Sequence, residues 1–141
     1  MRIIETPKAP LPAGHYSQAV VANGLVFVAG VLPIVPFVPD MSGQERRMPE
    51  GLEAQARQVF DNLRHVLEAA GTGLDGLVNV QVFIPDVALW PSLDAVYREI
   101  LGSHKPARTV VPCGPLHYGA LIEVNAVAVA GQPAPQEPKQ A

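Results

Sequence analysis

The stretch LEAQARQVFDNLRHVLEAAGTGLDGLVNVQVFI, Leu52 to Ile84, carries the two clearest hydrophobic periodicities of the chain. In its first part, apolar residues fall on one helical stripe with charged residues opposite, which predicts an amphipathic helix that ends near Gly71. In Leu77–Ile84 two sets of residues alternate, which predicts a strand. A helix that leads directly into a strand indicates a layered domain in which the helix packs on a sheet.

A hairpin and a second helix are predicted on either side of this stretch. Ala19–Gly30 has two apolar runs, and the Asn23-Gly24 pair between them suits the positive φ angles of a tight hairpin turn. Ser92–Leu101 has apolar residues on one helical face, with Ser92 as the expected N-cap. Both elements fit the same layered domain.

The last two predicted strands are Arg108–Pro112 and Ala120–Ala130. The order of elements is then strands, helix, strand, helix, strand, strand. This order favours an α+β fold in which two helices pack on one face of a mixed β-sheet. The other face of the sheet needs a cover, and charged residues make up only 16% of the chain, so we expect a partner subunit there.

Length and composition indicate one domain. The chain has 141 residues, of which 48% are hydrophobic, enough for a core of its own. We predict a single domain at 1–131 and a disordered tail at 132–141, which is rich in Pro and Gln. The segment Val31–Gly51 is studded with prolines and then polar, which predicts a loop with at most edge-strand pieces.

Charge and hydropathy narrow the choice of partners. The formal net charge is −3 and the largest basic cluster is Arg46-Arg47, so a nucleic-acid groove is disfavoured. Apolar runs such as Gly24–Pro39 are broken by prolines and too short to span a bilayer, and no signal-peptide pattern follows Met1–Glu5. We therefore expect a cytoplasmic protein without nucleic-acid or membrane partners. The single cysteine, Cys113, excludes an intramolecular disulfide.

Three features look like known functional sites but lack the neighbouring elements or residues that such sites need. GTGLDG, Gly71–Gly76, fits a dinucleotide-binding pattern, but a helix precedes it and a strand follows, so we interpret it as a helix end and turn. Cys113 has no local base and is interpreted as a small buried or interface residue. The histidines have no zinc-ligand spacing to one another or to the cysteine, so no metal site is predicted. They are His15, His65, His104 and His117.

Three polar residues are candidates for chemistry. Arg108 heads a predicted strand and offers a planar fork of donors that matches a carboxylate, although a surface arginine is the plain alternative. Glu123 is flanked by apolar residues, so it needs a partner or its pKa rises, and either state suits proton transfer; an exposed or structurally paired glutamate is the alternative. We expect Arg108 and Glu123 to lie on neighbouring strands and to line one pocket. Tyr16 adds a phenol donor to this pocket, with ordinary packing as its alternative.

Seven segments, in their order and spacing, resemble the reactive intermediate deaminase family, also called the RidA/YjgF family. The segments are KAPLPAGHYSQAV, NGLVFVAGVLP, EAQARQVFDNLRHVLEAAG, VNVQVFIPD, VYREIL, KPARTVV and ALIEVNAVAV. The resemblance runs from about Ile4 to Val129, nearly the whole predicted domain. It implies a chorismate-mutase-like fold assembled as a homotrimer, with the sheets packed inward and three sites between subunits.

The resemblance also implies an activity: hydrolysis of an enamine or imine such as 2-aminoacrylate or 2-iminopropanoate to a keto acid and ammonia. No metal or organic cofactor is implied. Arg108 matches the family arginine that clamps the substrate carboxylate, and Glu123 matches the glutamate that orients or activates the attacking water. Tyr16 matches the tyrosine that helps to close the pocket, and the backbone at Gly30 matches the segment that lines it.

The chain departs from the family pattern around the same site. Val31, Ala88 and Val110 stand where the family often has Gln, Asn and Cys. Pro112–Tyr118 replaces a segment that usually carries Glu and Arg, and the loop Pro36–Gly51 is longer than usual. We interpret the match of Arg108 and Glu123 as the same core chemistry. The altered walls leave the identity of the substrate undetermined.

Three alternatives follow. The first is a deaminase for a larger catabolic enamine, such as an aminomuconate-like acid, which the altered walls favour. The second is a non-catalytic trimer that holds a small carboxylate through Arg108, against which Glu123 argues. The third is a ribonuclease, against which the missing basic stripe argues.

Overall fold

The computed structural model describes residues 1–36 and 46–131. The helices are α1, Leu52–Ala69, and α2, Trp90–Leu101. The strands are β1 (Arg2–Ile4), β2 (Ala19–Ala22), β3 (Leu25–Val31), β4 (Leu77–Ile84), β5 (Ala107–Pro112) and β6 (Glu123–Val129). The predicted disordered tail at 132–141 lies outside the described residues, as does the middle of the loop Pro36–Gly51.

The strands of the described ranges form one mixed sheet in the order β1-β2-β3-β6-β4-β5. Neighbouring strands are antiparallel except β4 and β5, which run parallel. A parallel pair needs a crossover connection, because a tight turn reverses the chain. The helix α2 provides that crossover, so its position between β4 and β5 follows from the topology.

Both helices pack on the sheet and share one core with it. Phe60 and Leu63 of α1 are at most 1% exposed, and they join Val80 and Val124 of the sheet in a single hydrophobic cluster. The Tyr97 ring of α2 meets Phe60 edge-on, with 5.6 Å between ring centroids. The predicted arrangement of two helices on a mixed sheet is confirmed, whereas the predicted homotrimer stays a prediction.

The side of the sheet away from this core is called here the open face. A row of apolar side chains crosses it from strand to strand, because Ile3, Val20, Phe27 and Val127 are successive cross-strand neighbours. Phe27 is 47% exposed although it lies in the interior of the sheet. An exposed apolar row of this kind is typical of a surface that another protein covers.

The end of α1 explains the GTGLDG pattern. Gly71 takes the left-handed conformation, with φ 83°, which glycine adopts without strain. Its amide donates to Glu68 O at 2.9 Å, and the amide of Thr72 donates to Leu67 O at 3.0 Å, which is a Schellman motif. A short 3₁₀ turn at Leu74–Gly76 then leads into β4. The interpretation as a helix end and turn is confirmed.

Two element boundaries differ from the sequence analysis. α2 begins at Trp90, so the prediction of Ser92 as N-cap is wrong. Pro91 occupies the first turn, where its missing N–H costs nothing and its fixed φ suits the helix. β6 begins only at Glu123, because the preceding His117–Gly119 forms a short 3₁₀ turn. The hairpin turn at Asn23-Gly24 is confirmed, with φ angles of 51° and 75°.

Candidate active site

A bulge in β3 shapes the floor of the candidate site. Val28–Val31 of β3 lie opposite Val124–Ala126 of β6, so β3 has one residue more over this interval. The extra residue falls at Ala29 or Gly30, and the amide of Ala29 donates to Gln18 O at 3.0 Å instead of joining the β6 ladder. A bulge of this kind bends the strand and re-aims the residues beside it.

The Glu123 carboxylate lies directly against Gly30. A β-carbon at position 30 would be 2.6 Å from Oε1 and 3.4 Å from Cδ of Glu123. The approach to Oε1 is far inside van der Waals distance, so only glycine leaves room for the carboxylate in this position. The match between Gly30 and the family segment that lines the pocket thus has a steric basis in this chain.

Burial raises the pKa of the Glu123 carboxyl above its ordinary value, and the charge of His117 opposes that shift only in part. Desolvation disfavours the ionised form, which makes the carboxylate a stronger base than an exposed one. A raised carboxyl pKa inside a cavity is the pattern of a general acid or base. The Glu123 side chain is half-buried, so it remains within reach of a ligand.

Glu123 lines a cavity of about 430 Å³ at the end of the sheet. Its walls come from five parts of the chain: the segment before β2, the bulge of β3 with the residues after it, Arg46, Val66 of α1, and the turn before β6. The residues that bring polar or aromatic groups into it are Tyr16, Gln18, Arg46, His117, Tyr118 and Glu123. A concave space with a few convergent polar groups is the usual form of a small-molecule site.

One buried amide holds the first wall. The Gln18 side chain accepts a hydrogen bond from Thr6 N at 2.7 Å and donates to Pro10 O at 2.8 Å and Ala9 O at 3.4 Å. These bonds fold the segment before β2 onto the sheet. Tyr16 follows on this segment, with its side chain 53% exposed at the cavity, where a phenol can meet a ligand or a second subunit.

The opposite wall contains a strained residue. Tyr118 has φ 60° and ψ 18°, the left-handed region that non-glycine residues seldom adopt, and Gly119 follows with φ 71°. Residues in such conformations persist where the surrounding structure holds them, and they concentrate at binding sites. The result is that the Tyr118 ring lines the cavity beside His117, with 5.9 Å between their ring centroids.

Arg108 lies elsewhere in the molecule. Its guanidinium carbon is 4.5 Å from the ring centroid of Trp90 and 4.9 Å from that of Tyr97. Nη1 donates to Oδ1 of Asp94 at 3.4 Å, a long and weak ion pair. All three partners belong to α2, so the arginine is held against the helix that precedes its strand.

The prediction that Arg108 and Glu123 lie on neighbouring strands is wrong, because β4 runs between β5 and β6. Arg108 is in register with the buried Val80, so its side chain is directed to the helix layer. Glu123 is in register with Phe83, whose side chain alternates with buried ones and lies on the open face. Within one chain, the structure therefore brings Tyr16, Gly30 and Glu123 together and leaves Arg108 apart.

Of the positions that depart from the family pattern, Val31 and two residues of Pro112–Tyr118 line the cavity. Ala88 and Val110 are absent from its lining within the described ranges. Arg46, which the sequence marked only as half of a basic pair, is a further wall residue that was not predicted. Its signal is tertiary, since it lies over the Tyr118 ring at 5.0 Å.

The remaining histidines and the cysteine show no second site. His65 lies between Asp61 and Glu68 on α1, with its ring nitrogens 3.6 and 3.7 Å from their carboxylate oxygens. The Cys113 thiol donates to Ile84 O at 3.5 Å and is partly buried, in line with its predicted packing role. In residues 1–36 and 46–131, no cluster of three His, Cys, Asp or Glu residues is placed to hold a metal ion. No helix of these ranges could cross a membrane.

Comparison with known proteins gives the family. Residues 6–130 match the model of a family described as Endoribonuclease L-PSP. A RutC family protein of Pyrococcus horikoshii is 36% identical over 126 residues, which are 89% of this chain and 95% of that protein. The chain belongs to the RidA/YjgF family, as its sequence segments indicated.

Two further relatives carry more specific names. A goat protein named 2-iminobutanoate/2-iminopropanoate deaminase is 34% identical over 130 residues, 92% of this chain and 90% of the goat protein. The crystal structure of Escherichia coli TdcF with bound serine has a TM-score of 0.83 and 29% identity, covering 93% of this chain and all of TdcF. The family thus includes an imine deaminase, while its general description is that of an endoribonuclease.

Proposed function

We propose that the chain hydrolyses reactive enamines and imines of the 2-aminoacrylate and 2-iminopropanoate type to 2-keto acids and ammonia. The observation that carries the proposal is the position of the Glu123 carboxylate. It lies against Gly30 inside a cavity, and its partial burial raises its pKa. The name of the goat relative supports the same reaction class.

Glu123 is proposed to act on the attacking water. A carboxylate with a raised pKa accepts a proton from water while the oxygen adds to the carbon of the C=N bond. Glu123 returns this proton to the imine nitrogen, which gives a neutral carbinolamine. The hydroxyl proton of the carbinolamine then passes through the Glu123 carboxylate to the nitrogen, the C–N bond breaks, and ammonia leaves as the keto group forms. Because a free imine already reacts with water, positioning and modest proton transfer are sufficient.

Arg108 is proposed to hold the substrate carboxylate from a second subunit. Its strand, β5, is at one edge of the sheet, and the open face carries the apolar row that needs a cover. In a homotrimer with its sheets packed inward, a neighbouring subunit would cover the apolar row. The Arg108 guanidinium of one subunit would then face the Glu123 cavity of the next. The structure of TdcF has bound serine, an amino acid with a free carboxylate, and this supports a carboxylate site in the present chain.

The test is the decay of 2-iminopropanoate, generated in situ from alanine by an amino-acid oxidase. The wild type is expected to accelerate the decay, whereas Arg108→Ala and Glu123→Gln lose about tenfold or more in kcat/KM. Asp75→Asn is a matched control, since this exposed carboxylate lies in the turn after α1, away from the cavity.

Two results would contradict the proposal. If the wild type binds small carboxylates but does not accelerate the decay of any imine, the chain is a non-catalytic binding protein. If Glu123→Gln is as active as the wild type, the carboxylate does not act on water. The expected cytoplasmic location and the expected lack of nucleic-acid and membrane partners stay predictions from the sequence.

A ribonuclease is the second candidate, because the family description names that activity. The net charge of −3 gives little attraction for a phosphate backbone. Incubation of the protein with single-stranded RNA, in parallel with Glu123→Gln, separates the two. Cleavage that this substitution abolishes would favour the nuclease.

A further inference from the structure

We propose that the Glu123 cavity contains a second anion-binding subsite, made by Arg46 stacked on Tyr118. The favoured substrates are then imine or enamine acids with a second carboxylate at the end of their side chain. The inference rests on the proposed function for the reacting end of the substrate, and on Arg46 and Tyr118 for the other end.

The two residues are placed as a unit. The Arg46 guanidinium carbon is 5.0 Å from the centroid of the Tyr118 ring, and both side chains line the same cavity as Glu123. A guanidinium that stacks on an aromatic face keeps its N–H donors in its own plane, where they remain available to an anion. The ring therefore orients a cation without using its hydrogen-bonding capacity.

The backbone that follows Arg46 is held by hydrogen bonds at two points. The amide of Val35 donates to Arg47 O at 2.7 Å, which pins the start of the segment against the chain that leaves β3. Farther along, the buried Gln55 side chain donates to Pro49 O at 3.0 Å and accepts from Leu121 N at 2.8 Å. The segment that carries Arg46 is thus connected to the residues just before Glu123.

Tyr118 is held just as firmly on its side. Its left-handed conformation is costly for a residue with a β-carbon, so its position depends on the surrounding turn. Strain at a residue that lines a cavity is an observation that points to binding. Here it places the aromatic ring beneath the only arginine among the cavity-lining residues in the described ranges.

Arg46 also keeps its charge available. In the described part of the chain, four other arginines form ion pairs with carboxylates: Arg57, Arg64, Arg98 and Arg108. Arg46 forms none with a described carboxylate, although Glu123 lines the same cavity. A cation that faces a cavity and is not neutralised by these residues attracts an anionic ligand.

Within one subunit, the cavity is large enough for a longer substrate. Its volume of about 430 Å³ corresponds to roughly 14 water molecules at about 30 Å³ each. A three-carbon imine acid fills a small part of this space. A five-carbon dicarboxylic imine has its second carboxylate several bonds from the reacting carbon, which suits a cation on a wall away from Glu123.

The test compares two imines that differ only in the terminal carboxylate. These are 2-iminoglutarate and 2-iminopentanoate, generated in situ by amino-acid oxidases from glutamate and norvaline. We expect the wild type to favour 2-iminoglutarate by about fivefold or more in kcat/KM, mostly through KM, and this preference to fall as salt rises. Arg46→Gln should remove the preference, and Arg46→Lys should retain part of it.

Arg47→Gln is the matched control, because Arg47 is the adjacent arginine and does not line the cavity. It should leave the preference intact. Equal kcat/KM of the wild type for the two imines would overturn the subsite. An equal loss of the preference in Arg46→Gln and Arg47→Gln would do the same. Neither result would contradict the deaminase activity itself.

Binding of stable analogues separates the two proposals. Calorimetric titration with glutarate and with pentanoate needs no turnover. Tighter binding of glutarate that Arg46→Gln abolishes supports the subsite even in a protein that hydrolyses no imine. Equal binding of both acids, together with imine hydrolysis, rejects the subsite alone.

Discussion

The position of the Glu123 carboxylate depends on the missing side chain of Gly30. In Gly30→Ala the new methyl group would be 2.6 Å from Oε1, so the carboxylate must rotate away. A displacement of about 1 Å in a catalytic group can lower kcat/KM by roughly a hundredfold. Stability should change little, since the far end of a glutamate moves easily. Imine decay and thermal unfolding measure the two effects.

Gly114→Ala provides the control for Gly30→Ala, because a β-carbon there has nothing within 4 Å. It should retain both activity and melting temperature. Full activity in Gly30→Ala would mean that the carboxylate does not need its observed position.

The raised pKa of Glu123 has a consequence for stability. A carboxyl whose pKa is higher in the folded than in the unfolded protein favours folding in its protonated form. That contribution is present below the unfolded pKa and is lost as pH rises through the folded pKa. We therefore expect Glu123→Gln, which stays neutral, to melt slightly above the wild type at pH 8 and to match it at pH 3.5.

The thermal melts should be run from pH 3.5 to 8 at constant ionic strength, with Asp75→Asn as the exposed control. A difference that grows toward low pH would reverse the inferred sign.

Among single residues, the sequence identified two of the candidates directly: Arg108 and Glu123 stood out because charged residues are unusual in apolar strands. Arg46 did not, because its role depends on a ring that is distant in the sequence.

Among the elements, α1 supports the site through one side chain. Gln55 is buried, and its amide is the partner of Leu121 N at 2.8 Å, two residues before Glu123. In Gln55→Leu that N–H loses its partner, which costs about 1–3 kcal/mol in the free energy of unfolding. The start of β6 should also loosen, so KM should rise more than kcat falls.

Denaturant unfolding and steady-state kinetics test Gln55→Leu against Glu53→Gln, which changes an exposed residue on the same turn. Glu53→Gln should stay within about 0.5 kcal/mol of the wild type. Equal stability of the two variants would show that the Gln55 bridge contributes nothing.

The periodicities predicted the helices and the strands well, because hydrophobic spacing reports which face is buried. They did not predict the order of strands. β6 follows β5 in the chain but lies between β3 and β4, and no local pattern encodes that insertion. Nor did three residues of β1 suffice to show an alternation. The error about Arg108 and Glu123 follows directly from this missing topology.

For the whole molecule, the placement of Arg108 and Glu123 predicts complementation between inactive variants. Arg108→Ala and Glu123→Ala should each be inactive alone. If each site joins Arg108 of one subunit to Glu123 of another, refolding an equal mixture restores about a quarter of the wild-type activity. A site works only when one subunit supplies an intact Arg108 and its neighbour an intact Glu123, and each of these has a probability of about one half. Light scattering on the same samples should give a trimer.

Each variant refolded without the other is the control for the mixture. A mixture as inactive as its components would place both residues of a working site in the same chain. A monomer in light scattering would have the same consequence, and the apolar row on the open face would then need another cover.

Most of the cavity wall comes from segments that connect helices and strands. The exposed residues of these segments can change without altering a cross-strand pair or the core. The positions of Glu123 and Gly30, by contrast, are fixed by the bulge of β3. A fold arranged in this way lets the choice of substrate diverge rapidly in evolution while the chemical step is inherited unchanged.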